Sequence, residues 1–234
     1  LQFRGEPWFR IPGPDGRVLV SVAWGLVVDR LSGTMIMVVT GIGTLIHVYS
    51  ISYMSHEDDA GFARFFTYLN LFVAAMLTLV LGDSLVLTFV GWEGVGLCSY
   101  LLIGFWYSDP ANGRAARKAF IVTRVGDTAM AVGLFLLFTR LGTLDIQPLM
   151  QRAAEMWPIG SGPAIAAAAL LLGGALGKSA QLPLQMMQTM LVQSETDSSL
   201  WRGISIWRSR AALDEYGGAR RLQLVSEWLA PVKA

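Results

Sequence analysis

Gly91-Trp92-Glu93-Gly94-Val95-Gly96-Leu97-Cys98-Ser99-Tyr100-Leu101-Leu102-Ile103-Gly104-Phe105 is an apolar run that carries a single carboxylate, Glu93. No other charge occurs between Ser84 and Trp106. A helix of about 23 residues, rising about 1.5 Å per residue, crosses the hydrocarbon of a bilayer. A carboxylate near the middle of such a helix is costly unless it meets a partner or a wet cavity. The fold therefore reads as membrane-spanning, and the functional question becomes what Glu93 does at that depth.

Composition agrees. Of 234 residues, 53% are hydrophobic and 15% charged, against about 25% charged in ordinary soluble domains. A net charge of +1 gives no electrostatic footprint for a nucleic acid. The single cysteine, Cys98, excludes an internal disulfide and offers no thiolate cluster for iron–sulfur or zinc ligation. It reads as a small packing residue. No phosphate-cradling glycine loop, no Ser–His–Asp set and no metal-ligand spacing occurs in the sequence, so neither cofactor nor metal is expected in this chain. The methionines read as packing side chains.

Outward from the central run, the sequence predicts an all-α polytopic membrane protein of about five spans. Residues 1–25 form an extramembrane loop, rich in the turn formers Gly5, Pro7, Pro12, Gly13, Pro14 and Gly16, with a short strand at Val18–Val22. The membrane domain covers residues 26–185, with spans near 31–54, 65–81, 84–106, 119–138 and 163–183. Ser55–Arg64, Tyr107–Lys118 and Thr139–Gly162 read as loops. Residues 186–234 form a tail without a span, holding six basic and five acidic residues between 193 and 234 and one short amphipathic segment, Leu222–Val232. Arg114, Arg117 and Lys118 place their loop, with the basic tail, on the cytoplasmic or equivalent side; the Asp83 turn and the 139–162 loop then face the other compartment.

Glu93, Arg124, Asp127 and Lys178 fall inside predicted spans, and His47 is a further polar group at depth. Glu93 lies about 14 Å from one end of its helix and Asp127 about 12 Å from the end of its own. Pro183 breaks the helix just past Lys178, as in discontinuous helices that line wet cavities. Two structural ion pairs, Lys178–Glu93 and Arg124–Asp127, are the plainer reading, the second pair being three apart on one helix. The sharper reading is a proton relay, because buried amines and carboxylates exchange protons when a neighbouring charge shifts. His47 fits a hydrogen-bonded packing role better than a place in the relay. The Gly-x-Gly pairs allow close helix contact.

Tyr68-Leu69-Asn70-Leu71-Phe72, the run from Gly91 to Phe105, Lys118-Ala119-Phe120-Ile121-Val122-Thr123-Arg124-Val125-Gly126-Asp127 and Gly177-Lys178-Ser179-Ala180-Gln181-Leu182-Pro183-Leu184 together resemble the chain L (subunit 5) family of NADH:quinone oxidoreductase, respiratory complex I. The similarity runs from about Trp24 to Gln185. It implies a proton-translocating, antiporter-like subunit of the membrane arm, part of an inverted-repeat half-channel, with no NADH or quinone site of its own. It further implies that Glu93 pairs with Lys178 and that Asp127 takes part in pumping. The implied partners are the other membrane-arm subunits and the lipid bilayer, with no nucleic acid; the implied location is a bacterial inner membrane or the inner mitochondrial membrane. The family continues on both sides of the matching stretch, so the chain is expected to be a truncated piece holding part of one half-channel. A subunit of a multisubunit cation/proton antiporter is the competing class, and a fragment without activity a third. Residues 186–234 lie outside the resemblance.

Overall fold

The computed structural model describes residues 1–13 and 18–179. Two strands, β1 (Gln2–Pro12) and β2 (Val18–Val27), pair antiparallel and precede six helices. The helices are α1 (Arg30–Tyr53), α2 (Asp59–Leu81), α3 (Leu85–Ile103), α4 (Pro110–Leu141), α5 (Ile146–Met156) and α6 (Gly162–Ser179). Among the described residues, α1 to α4 are long and apolar enough to cross a membrane, and α6 is a shorter apolar helix.

Helix ends follow local chemistry. Asp29 and Ser32 cap α1 reciprocally: the Asp29 carboxylate accepts from the Ser32 amide at 2.7 Å, and the Asp29 amide donates to the Ser32 hydroxyl at 2.8 Å. Asp58 caps α2 by accepting from the Gly61 amide, which starts that helix six residues before the predicted Phe65. Asp109 caps α4 with Pro110 in its first turn. A proline there gives up an amide that would be unpaired anyway, so the predicted 107–118 loop is helical from Pro110 onward. Arg114, Arg117 and Lys118 thus extend α4 beyond the apolar segment. Gly142 ends α4 in the left-handed region at φ 69°, and Arg152 donates to the Leu141 carbonyl at 2.7 Å.

Two elements differ from the sequence reading. Residues 2–12 and 18–27 form a hairpin, so the all-α expectation holds for the membrane part only. Pro7 and Pro12, which read as turn signals, sit in a two-stranded ribbon with no interior strand, and the register slips on both sides of Pro7; Pro14 lies outside the described residues. Edge positions and bulges are where a strand tolerates proline. The predicted 139–162 loop contains α5. Pro148 lies in its first turn, and Leu149, Ala153 and Trp157, four residues apart, pack with Leu137, Leu141 and Ala167. The end of the predicted fifth span at 180–183 and the tail at 186–234 lie outside the described residues.

The bundle packs α1 on α2, α2 on α3, α3 on α4 and α4 on α6. Leu31, Met37, Leu45, Val48 and Tyr49 of α1 point outward, as apolar side chains do toward lipid. Successive spans alternate in direction. The hairpin, the Asp83 turn and α5 therefore share one end: Asp83 donates its amide to the Gly25 carbonyl at 3.0 Å, and Ser84 bridges to Asp145. The opposite end joins the α1–α2 and α3–α4 connections, where Trp106 Nε1 donates to Glu57 Oε1 at 2.8 Å and the Arg64 guanidinium lies 4.7 Å from the Phe105 ring centre.

Candidate functional site

Four charges meet where α3, α4 and α6 pack. Gly126 of α4 and Gly177 of α6 touch backbone to backbone: a Cβ on either would stand 2.8 Å from the other's Cα. Asp127 and Lys178 are the next residues along, so this glycine crossing sets them side by side, with Lys178 Nζ 3.8 Å from Asp127 Oδ1. A second close approach, Gly91 of α3 against the α2 backbone at Leu79 and Ala75, seats α3 so that Trp92 and Glu93 face α4. Glu93 pairs with Arg124 through Oε2 and Nη1. Trp92 Nε1 donates to Asp127 Oδ1 at 2.6 Å, and its ring centre lies 5.5 Å from Lys178 Nζ.

The partners are exchanged relative to the sequence reading. Lys178 sits with Asp127 and Arg124 with Glu93, in place of Lys178–Glu93 and Arg124–Asp127. The reason is the helix crossing. With Gly126 against Gly177, Asp127 turns toward α6, while Arg124, nearly a turn earlier, reaches α3 with its guanidinium over the Phe120 ring at 4.7 Å. The local i, i+3 pairing therefore loses to two contacts between helices.

Burial grades through the cluster. The Asp127 side chain is 3% exposed, Lys178 19%, Glu93 23% and Arg124 45%. Lys178 Nζ is buried and makes no hydrogen bond among the described residues. It borders a cavity of about 360 Å³ whose wall includes Trp92, Gly96, Ser99, Tyr100 and Thr123. Met76, Leu79, Val95 and Phe120 make most of that wall apolar, and Ser99, Tyr100 and Thr123 add polar residues beside the amine. Trp92 and the hydroxyls of Ser99, Tyr100 and Thr123 were not singled out from sequence. None is ionisable at depth in the way a carboxylate is, and only the two-turn, seven-residue spacing from Trp92 to Ser99 along α3 hints at a shared face.

His47 is not part of the cluster. It lies on α1, with Nδ1 2.8 Å from the Gly43 carbonyl oxygen and its ring 5.9 Å from that of Phe66. Cys98 is buried, as a packing residue should be.

A separate polar cluster lies at the hairpin end. Arg4 donates to Asp145 Oδ2 at 2.6 Å and stands 4.0 Å from Asp83 Oδ2. Asp83 lies flat over Gly25, where any Cβ would overlap its carboxyl group. Burial pushes the Asp83 carboxyl above the ordinary carboxylate range, and the bond to Asp145 raises Arg4 above the usual guanidinium value.

Residues 82–199 match the family model described as NADH:quinone oxidoreductase/Mrp antiporter, TM, and residues 18–66 match NADH-Ubiquinone oxidoreductase (complex I), chain 5 N-terminus. The first match runs past Gln185. The NADH-quinone oxidoreductase subunit L of Escherichia coli is 55% identical over 165 residues, which is 70% of this chain and 27% of the relative. That of Pseudomonas aeruginosa is 59% identical over 165 residues, 70% of this chain and 26% of the relative. The chain thus spans about a quarter of the length of these curated relatives. A solved structure of the Mrp complex from Dietzia sp. DQ12-45-1b superposes with a TM-score of 0.63 at 28% identity, covering 77% of this chain and 19% of that chain.

Proposed function

The chain belongs to the NADH:quinone oxidoreductase/Mrp antiporter transmembrane family, in its chain L (subunit 5) branch, and from that premise we propose that it serves as a proton-translocating, antiporter-like subunit in the membrane arm of an NADH:quinone oxidoreductase. Electron transfer in other subunits drives the pumping, and the translocase role involves no redox chemistry in this chain. Its partners are the neighbouring membrane-arm subunits, and its setting is a bacterial inner membrane or the mitochondrial equivalent.

The observation that carries this reading is the four-charge cluster: Arg124–Glu93 and Lys178–Asp127, on three helices, with the amine opening on a cavity. Lys178 is the group that loads and releases a proton. It lies 3.8 Å from the Asp127 carboxylate on one side and borders the cavity on the other. The Arg124–Glu93 pair sets the field in which that balance is struck. A charge displaced from a neighbouring subunit that opened this pair would expose Lys178 to an unneutralised Glu93 or Arg124. The amine would then bind or lose its proton through water in the cavity lined by Ser99, Tyr100 and Thr123. Protons on coupled groups move as a set, so the cluster titrates as one unit.

Glu93→Gln in the assembled complex is expected to lower NADH-driven proton pumping in inverted membrane vesicles while subunit assembly stays intact. Undiminished pumping in that variant rules out the relay. The second reading, a subunit of a cation/proton antiporter, is favoured by the likeness to the Mrp complex. Sodium-dependent proton exchange in membranes free of NADH-oxidising subunits would support it; co-purification with such subunits supports the first.

A further inference from the structure

Trp92 touches both members of the Lys178–Asp127 pair with different parts of one ring. Its N–H points at Asp127 Oδ1, at 2.6 Å, and its face looks toward Lys178 Nζ, at 5.5 Å. The oxygen that accepts from the indole is the same one that lies 3.8 Å from the amine. The distance from amine to carboxylate is too long for a hydrogen bond, and Nζ has no other acceptor among the described residues. The indole N–H thus already holds the carboxylate oxygen nearest the ammonium and fixes how that carboxylate can turn.

On the proton-transfer reading above, we infer that Trp92 is a positioning residue that keeps the Lys178–Asp127 pair from closing, so that the amine stays able to release its proton. A closed ammonium–carboxylate contact in a low-dielectric site would hold the proton on Lys178. Trp92 disfavours that contact by holding the carboxylate in its present orientation with its N–H edge. Its ring face meanwhile gives the ammonium partial compensation, since the face of an indole attracts a cation without accepting its proton. The charged groups acting on Lys178 are Asp127 and Arg124 from α4 and Glu93 from α3; Trp92 is the neutral group set among them.

The test uses two variants in the assembled complex, with proton pumping in inverted vesicles followed across pH. Trp92→Phe keeps an aromatic face and loses the N–H. The pair closes, and the alkaline limb of the pumping profile moves to higher pH. Trp92→Leu loses the face as well, so its limb lies below that of Trp92→Phe by on the order of half a pH unit or more. A residue that only fills space would shift both profiles together or neither. An unmoved Trp92→Phe profile, equal shifts in the two variants, inactivity of Trp92→Phe at every pH, or its failure to assemble overturns the assignment. Glu93→Gln separates this from the wider reading. If Glu93→Gln pumps normally, the relay itself is wrong; if it stalls while the Trp92 profiles stay at wild type, only the role of Trp92 is wrong.

Discussion

On the proposed relay, replacing Gly177 by alanine should part α4 from α6 and slow proton transfer without adding or removing a charge. The new Cβ would stand 2.8 Å from Gly126 Cα and 3.3 Å from its amide nitrogen. Both are backbone atoms and cannot rotate aside. Ordinary contact begins at 3.4 Å, so the helices must open by at least about 0.6 Å, and by about 1 Å for relaxed packing. Lys178 is the next residue, so the separation of its amine from Asp127 grows from 3.8 Å to about 5 Å. At an effective dielectric of about 20, the attraction falls by about 1 kcal/mol. That alone loosens the amine's hold on its proton about fivefold, which eases release. Loss of alignment at a reacting pair brings up to about a hundredfold. Misalignment set against easier release leaves an expected loss of pumping of up to about twentyfold. The assay is NADH-driven acidification of inverted vesicles, normalised to assembled complex on a native gel. Gly41→Ala is the control: it is the same change in a membrane helix, and its Cβ would meet nothing within 4 Å. Wild-type pumping by an assembled Gly177→Ala complex would show that the glycine crossing does not set the geometry of the pair.

Two further outcomes concern groups away from the crossing. Burial holds the Asp83 carboxyl above its ordinary value, so the docked hairpin binds that proton more tightly than the free chain does. Docking is expected to strengthen as pH falls from the raised value toward about 3.9 and to weaken above it. Hydrogen exchange of the β2 amides across pH reads this, and Asp83→Asn should flatten the dependence; an unchanged slope in that variant argues against Asp83 as the titrating group. His47→Leu should leave pumping within about twofold of wild type, since its contacts are to Gly43 and Phe66 and the new side chain suits an apolar site. A large loss of pumping in an assembled His47→Leu complex would place the histidine on the proton route after all.

Much of the fold was legible because the membrane constrains it so tightly. Backbone groups in hydrocarbon must bond within their own helix, so long apolar runs read as spans, and Asp29, Ser84 and Leu81 mark ends that the structure reproduces closely. The parts that were not legible are those outside the hydrocarbon. Proline in residues 1–12 reads as turn chemistry whether or not a second strand lies alongside. Pro148 in the first turn of α5 hides an amphipathic stripe of only three residues. Asp109-Pro110 is a start signal that the following Asn112 and Gly113 obscure.

The site divides in the same way. Sequence alone picked out Glu93, Arg124, Asp127 and Lys178, because an ionisable group at bilayer depth needs a reason to be there. It could not decide which pairs with which. Charge spacing along one helix favours Arg124 with Asp127, but partners on different helices are set by where the backbones cross, and a crossing depends on which glycines meet. Gly126 against Gly177 and Gly91 against Leu79 made that choice. The same crossings placed an indole between amine and carboxylate, a three-way contact that no single stretch of chain contains.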